Sequence, residues 1–354
     1  MRSQLGTVQV MAKARLTEVA EFAGVSEATV SRVLNDRPGV STTTRAQVLT
    51  ALDVLGYERP AKLRTRGAGL VGLVVPELEN PIFPALAQTL ETALAQHGYT
   101  AVLCTQTPGG IAEDDYVAML NDLGVSGIVF VNGLHADATA SPERYQSLVH
   151  KRLPIVLING YLPGVDAPFL STDDVEAMNL AVRHLTSLGH RRIGFAIGPD
   201  RFVATRRKRE GFYTAMRKFA ELRDDEIDQL VEVSLFSQEG GYAATRVLRE
   251  RGVTALVYGS DIMALGGIKA LRAIGLDVPT DVSVVGYDDS VLMGFTDPPL
   301  TTVRQPVQAM ALAAARALLE EISGRPSPPS EFLFSPELVV RGSTGPVADH
   351  RVRD

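Results

Sequence analysis

The chain has 354 residues, of which 45% are hydrophobic and 21% charged, which excludes a disordered chain and, at roughly 150 residues per domain, suggests two or three domains. The net charge of -6 excludes a uniformly basic nucleic-acid coat. The charge is uneven, however: residues 1–69 hold 10 Lys+Arg against 6 Asp+Glu, and residues 70–354 hold 25 against 35, the pattern of a small polyanion-binding head on an acidic body.

The single cysteine, Cys104, excludes internal disulfides and a Cys-rich zinc site. In the run YTAVLC it reads as a buried small apolar residue. No apolar run reaches the ~18 residues of a membrane span. The start MRSQLGTVQV lacks the apolar core of a secretory signal, so a cytoplasmic protein is expected. Residues 1–14 read as a disordered extension, with Met11 as an alternative start.

Residues 15–57 read as a three-helix head. In RLTEVAEFAGVSEATVSRVLN, Thr17 is a candidate N-cap for a helix whose apolar residues are Leu16, Val19, Ala20 and Ala23. Gly24 stops it at a sharp turn. Ser26 caps a second helix, with Ala28 or Thr29, Val30, Val33 and Leu34 on its apolar face and Glu27, Ser31 and Arg32 on the opposite edge. Val40 and Ser41 precede a third, with Val48, Leu52 and Leu55 inward and Gly56 as its stop. Two short helices joined by a Gly-containing turn make a helix-turn-helix unit.

The string VSEATVSRVLN resembles the recognition helix of the lactose/galactose-repressor (LacI/GalR) family of transcription regulators. The resemblance implies that the second helix enters the DNA major groove. Its DNA-contacting set is Thr17, Ser26, Glu27, Ala28, Thr29, Ser31, Arg32 and Asn35. Arg32 suits a bidentate contact to guanine, and the Ala28 methyl suits a thymine methyl. Glu27 either accepts from cytosine N4 or serves only as a favourable charge at the helix N-terminus.

Residues 58–69 form a linker made basic by Arg59, Lys62, Arg64 and Arg66, and Pro60 can open a short helix there. In the resembling family this segment becomes a hinge helix on operator DNA and drives a leucine into the minor groove. Lys62 and Leu63 therefore join the DNA-contacting set, Leu63 as the candidate wedge. The linker is shorter than the family's and lacks its Pro-Asn step, so a solvated basic linker remains the alternative.

From Leu70 onward, apolar runs alternate with helical patterns. The strands read LVGLVVP, YTAVLC, SGIVFV, PIVLIN, RRIGFAIG, VEVSLF, TALVYG and VSVVGYD, and helices read at 83–97, 113–123, 142–151, 174–188, 206–220, 238–251 and 261–274. Such strands imply parallel sheets covered on both faces. The βα units are too many for one open sheet, so two doubly wound halves are expected, with ligands beyond the carboxyl ends of the strands.

The strings GLVVPELENPIFPAL, LTSLGHRRIGFAIGP, GSDIMALGGIKAL, VPTDVSVVGYDDS and PPLTTVRQP resemble the same family's effector domain, which has the periplasmic sugar-binding-protein fold. The resemblance implies a ligand-binding and dimerisation domain over 70–343. Its N-subdomain covers about 70–160 and 306–328, its C-subdomain about 161–305 and 329–343, and a flexible tail covers 344–354. Crossovers are expected near Asn159, Ser290–Pro306 and Gly324–Glu331. The fold class is thus α/β: an N-terminal all-α helix-turn-helix head on a two-subdomain, periplasmic-binding-protein-like, doubly wound body.

By the same resemblance, Asp288 of VGYDD anchors sugar hydroxyls, and Gln305 of TTVRQ lies on a crossover. Asn159 of VLING is a strand-end polar ligand, and Ser260 and Asp261 of GSD lie beside the cleft. Asn80 and Phe83 of ENPIF lie at the mouth of the first strand. The family's cleft arginine falls at Lys208, with Arg207 just before it, and which cation reaches the ligand stays open. Thr105 and Gln106 end the second strand and are candidate contacts.

Other chemistries find no foothold. There is no G-x-G-x-x-G after the first strand, no P-loop, no G-x-S-x-G and no H-E-x-x-H. His184 and His190 read as surface or cap residues rather than metal ligands. Adjacent Asp288 and Asp289 point to different sides and make no paired general acid/base. No enzyme activity, metal or cofactor is expected.

The expected protein is a homodimeric repressor that binds a pseudo-palindromic operator and a small effector, a sugar by resemblance to the family's maltose- and oligosaccharide-type members. It has no membrane partner. The polar tail lacks a leucine heptad, which favours a dimer over a coiled-coil tetramer. The rivals are a sugar receptor without a DNA role and an α/β sugar-modifying enzyme. The first calls for a signal peptide and no recognition helix, the second for a nucleophile, metal or phosphate motif.

Overall fold

A computed structural model of the chain describes residues 16–35, 37–55, 57, 68–106, 110–325 and 328–347. The chain divides between Ala68 and Gly69 into two compact units. The expected N-terminal extension, Gly56, the linker residues 58–67 with Lys62 and Leu63, and the last tail residues lie outside the described residues. No helix among the described residues is long and apolar enough to cross a membrane.

In the first unit, α1 covers 16–23, α2 is Glu27–Leu34 and α3 is Thr42–Val54. Gly24 turns the chain between α1 and α2 at φ 64°, a left-handed conformation that costs glycine little. Ser26 Oγ accepts from Thr29 N at 3.2 Å, a donor it shares with the Ser26 carbonyl at 2.9 Å, and Ser41 Oγ accepts from Thr44 N at 3.1 Å, so each hydroxyl engages a first-turn donor. Val19, Ala20, Val30, Val33, Val48, Ala51 and Leu52 close the core. Thr17 does not cap: it lies inside α1, and its hydroxyl donates to Glu27 Oε1 at 2.6 Å.

The second unit is built on two sheets. Its first lobe begins with β1 (Gly69–Val75), α4 (Ile82–Gln96), β2 (Tyr99–Thr105), α5 (Glu113–Asp122), β3 (Gly127–Val131), α6 (Glu143–His150), β4 (Ile155–Ile158) and β5 (Phe169–Thr172). The second lobe takes α7 (Asp174–Ser187), β6 (Ile193–Ile197), α8 (Val203–Ala215), α9 (Asp224–Asp228), β7 (Val231–Val233), α10 (Gln238–Glu250), β8 (Ala255–Tyr258), α11 (Asp261–Ala273), β9 (Ser283–Asp288) and β10 (Thr301–Arg304). The chain returns for α12 (Val307–Ile322) and β11 (Glu331–Phe334), then ends on β12 (Glu337–Val339).

The strand orders are β11-β5-β4-β3-β1-β2 and β12-β10-β9-β8-β6-β7. Every pairing is parallel but that of β10 with β12. The apolar strands are covered on both faces: in the first lobe one core lies under α4 and α12, a second under α5 and α6. This is the expected doubly wound body, with Cys104 buried in it.

Three details differ from the sequence reading. Residues 169–172 and 331–334 pair with each other in the first sheet, not the second half. No helix separates β4 from β5, so the alternation of strand and helix gave no sign of it. The crossings therefore fall at 172–174, 304–307 and 334–337. The run VEVSLF is strand only over Val231–Val233, and α8 starts at Val203. Finally, His190 is buried rather than superficial: its ring bonds Thr254 Oγ1 at 2.9 Å, Ser283 Oγ at 3.0 Å and Gly345 O at 3.0 Å.

Candidate functional site

Parallel strands run out of apolar residues together at their carboxyl ends, and both sheets end on a shared cavity of about 340 Å³. The first lobe lines it with Glu77, Asn80 and Phe83 after β1, Gln106 after β2, Asn132 and Asp137 after β3, and Asn159 after β4. The second lobe contributes Arg201, Phe202, Thr205 and Lys208 around the start of α8, with Phe236, Ser260, Tyr287 and Asp288. Asp174 and Gln305 reach it from two of the crossings.

Asp288 is the polar centre. Its Oδ1 accepts from Gln305 Nε2 at 2.7 Å and its Oδ2 from Asn80 Nδ2 at 3.2 Å. Gln305 Oε1 in turn accepts from the Thr172 hydroxyl at 2.8 Å. One hydrogen-bonded chain thus joins the two lobes through two crossings. Asp288 at φ 121° and Asp289 at φ 54° both lie in the left-handed region, which aims consecutive carboxylates apart. Asp288 faces the cavity, while Asp289 pairs with Arg304 at 2.7 Å and Arg341 at 2.6 Å. Burial pushes the Asp288 carboxyl above the usual range, against the Gln305 and Asn80 amides and the Lys208 charge, which pull it down.

A second cluster surrounds Lys208. Its Nζ lies 2.8 Å from Asp174 Oδ1 and 3.9 Å from the centre of the Tyr287 ring. The Tyr287 hydroxyl donates to the same Asp174 oxygen at 2.6 Å. The lobes also meet between the loop after β3 and the loop after β6. There Ala138 N donates to Arg201 O at 2.8 Å, and Arg201 pairs with Asp137 at 3.4 Å.

Of the residues named from sequence, Asn80, Phe83, Asn159, Lys208, Ser260, Asp288, Gln305 and Gln106 line this cavity. Arg207, Asp261 and Thr105 do not. Arg207 turns away to a two-pronged ion pair with Glu331. Asp261 is buried behind β9, where it accepts from Thr302 Oγ1 at 2.6 Å, Ser290 N at 2.9 Å and Ser290 Oγ at 3.1 Å. Burial and the nearby Asp288 charge hold its carboxyl well above the usual range. Ser260 does double duty, because its Oγ also accepts from Met263 N at the start of α11.

The lining residues that sequence reading missed include Asp174, Thr205, Tyr287, Phe202 and Phe236, and also Glu77, Asn132, Asp137 and Arg201. The Thr205 hydroxyl is fully buried at the cavity wall and, among the described residues, has no hydrogen-bond partner. Its spacing of three from Lys208 on one helix was the available signal. No group of three or more His, Cys, Asp or Glu able to hold a metal occurs among the described residues.

In the head, Glu27, Ala28 and Arg32 stand exposed on α2, with Thr29 and Ser31 half-buried beside them. Ser26 and Asn35 sit at its ends, Asn35 donating from Nδ2 to Ser31 O at 2.8 Å.

Comparison with known proteins supplies the lineage. A family model for bacterial regulatory proteins of the lacI family matches residues 15–60, and one for a periplasmic binding protein-like domain matches residues 182–344. The HTH-type transcriptional regulator MalR of Streptomyces coelicolor is 60% identical over 340 residues, 96% of this chain and 99% of its own. The solved complex of the transcriptional regulator CelR with cellobiose is 33% identical, covers 93% of this chain and 99% of that one, and has a TM-score of 0.69. The lac repressor dimer bound to operator and the anti-inducer ONPF is 26% identical, covers 92% of this chain and 98% of that one, and also has a TM-score of 0.69. With its helix-turn-helix head and its two-lobed, periplasmic-binding-protein-like body, the chain belongs to the lacI family of bacterial regulatory proteins and is a transcriptional regulator.

Proposed function

We propose that the protein is a cytoplasmic, homodimeric repressor whose hold on a pseudo-palindromic operator is set by a sugar in the cleft. The linker read at 58–69 serves as the hinge, with Lys62 and Leu63 on DNA and Leu63 as the wedge. The head reads DNA with Ser26, Glu27, Ala28, Thr29, Ser31 and Arg32, supported by Thr17 and Asn35. The ligand is held by Asn80, Phe83, Asn159, Lys208, Ser260, Asp288 and Gln305. The cellobiose in the CelR complex and the likeness to maltose- and oligosaccharide-type members support a glucose oligosaccharide.

The observation that carries this reading is the bond from Asn80 of one lobe to Asp288 of the other, made inside the cavity. A sugar hydroxyl that takes the place of either partner changes how the lobes are held. That change reaches DNA only through a difference in ligand affinity between the two arrangements, and DNA must alter ligand affinity by the same factor. The test is selection of duplexes from a random pool, followed by fluorescence anisotropy on the selected site with maltose and cellobiose over a salt series. A palindrome preferred over bulk DNA and shifted by one sugar supports the reading. No preference at any salt, with or without sugar, ends it.

A further inference from the structure

We infer that Asp174 is a charge filter that restricts the cleft to uncharged sugars and rejects their phosphate esters. The inference rests on reading the cleft as a sugar site. Among the described residues, two cations line the cavity and each is matched by an acid: Lys208 by Asp174 at 2.8 Å and Arg201 by Asp137 at 3.4 Å. Lys208 is only 5% exposed, so its pairing is not diluted by water. Asp174 opens α7, where the first-turn N–H groups and the helix dipole hold its negative charge in place. Glu77 and Asp288 add two further carboxylates to the wall, and Asp288 is satisfied by neutral amides.

A phosphate dianion loses its hydration on entering such a cleft and needs a free cation or a cradle of N–H groups in return. Here it meets an excess of carboxylates and a spoken-for ammonium. The uncapped start of α8, with Thr205, offers donors to oxygens of either kind, so the sign of selection falls to the carboxylates. Sugar hydroxyls need paired acceptors and donors, which Asp288, Asp174 and Lys208 supply. Asp174→Asn keeps the shape and the acceptor for the Tyr287 hydroxyl but leaves the Lys208 charge unmatched.

The experiment is isothermal calorimetry on the full chain at constant ionic strength, with maltose, maltose 6′-phosphate and inorganic phosphate. Wild type should take maltose about 100-fold more tightly than its phosphate, the ratio one unscreened charge contact supplies, and give no saturable signal with inorganic phosphate. Asp174→Asn should gain saturable phosphate binding, lost again in Asp174→Asn/Lys208→Met. Asp174→Ser stands in should the first variant not fold. Wild-type binding of maltose 6′-phosphate as tight as that of maltose, or no phosphate binding by a folded Asp174 variant, overturns the filter. Should wild type take neither sugar while the variant gains Lys208-dependent phosphate binding, the filter stands and the sugar reading falls.

Discussion

Arg207 of α8 and Glu331 of β11 are joined by two hydrogen bonds, from Nη1 at 2.6 Å and from Nη2 at 2.7 Å, and they belong to opposite lobes. The side chains are 25% and 14% exposed, so the pair is sheltered without being sealed off. A planar guanidinium fork on a carboxylate fixes orientation as well as distance. The pair acts as a strut for the arrangement in which the cleft walls face each other. Arg207→Ala removes it, and ligand affinity should fall roughly 5- to 30-fold, the factor expected for 1–2 kcal/mol in a half-sheltered pair. Arg207→Lys should recover only part, because a point charge cannot make both bonds. Calorimetric titration of the two variants with the bound sugar decides this, and wild-type affinity in both would show that the strut holds nothing.

Asp288 takes one amide from the first lobe, Asn80 at 3.2 Å, and one from a crossing, Gln305 at 2.7 Å. Asp288→Ala strands both amides and removes the acceptor best placed for a sugar hydroxyl. Operator affinity without ligand should stay within about threefold of wild type, since the head has its own core, while the response to sugar disappears. A gel shift with and without sugar reads both quantities. A retained response would remove Asp288 from the ligand-binding set.

How much of this was legible in the sequence follows from what each residue had to do. Strands β1–β4 and β6–β9 announced themselves as apolar runs because the sheets are covered on both faces, whereas β5, β10, β11 and β12 were not among them. Asn159, Ser260 and Asp288 stood out as the polar residues that end such runs. Asp174 did not, because in the doublet Asp173–Asp174 it reads as an ordinary helix-start acid, and Asp173 does cap α7 by accepting from Glu176 N. Phe236 was hidden in VEVSLF: the strand stops at Val233, and the ring lies where a side chain on Gly198 would clash at 2.0 Å. Arg207 and Lys208 could not be told apart because consecutive helical residues point about 100° apart and sequence does not give the roll of the helix. Packing of Phe212 and Ala215 into the second-lobe core sets that roll, so Lys208 faces the cleft.

The pH dependence of stability should carry the mark of His135. Its ring is buried edge-on to Tyr145, with Nε2 2.9 Å from Ile158 O, and burial drives its pKa down from 6.5 to about 4. A lowered folded value means that the unfolded chain binds more protons inside that window. The contribution is therefore complete above pH 6.5 and is lost as pH falls through about 4, a change of roughly 3 kcal/mol. His135→Gln keeps an N–H donor and should flatten the acid limb of urea stability relative to wild type. Buried Asp261 and Asp288, both raised, act with the opposite sign but are common to both proteins, so the difference isolates His135. Parallel curves for the two proteins would exclude the imidazole as the site of proton uptake.

The crossing of α10 with α11 depends on the absence of side chains. A Cβ on Gly241 would lie 2.0 Å from Met263 O, and one on Gly266 would lie 1.9 Å from Gln238 O. Both obstacles are backbone atoms, which no rotamer change can move aside. Gly241→Ala should cost about 1–3 kcal/mol and several degrees of melting temperature. Because Ser260, the N-cap of α11, lines the cleft, ligand affinity should fall with it. Calorimetric melting with and without ligand tests both, and an unchanged Tm would mean that the helices have room to separate.

Arg32 is exposed on α2, and the burial of Val30 and Val33 fixes the roll of that helix. Ala28 lies four residues earlier and so shares its face. Glu27 accepts the Thr17 hydroxyl, an engagement that competes with reaching a cytosine. Arg32 is thus the strongest candidate for base reading on the helix. Arg32→Ala should weaken binding to the selected operator by about 1–3 kcal/mol while leaving random duplex DNA and the salt slope unaltered. A contact to phosphate alone has a different signature: operator and random DNA weaken alike, and the slope of log affinity against log salt falls by about one. Anisotropy on the operator and on a scrambled duplex, each over a salt series, separates the two, and the second pattern would strip Arg32 of its role in sequence recognition.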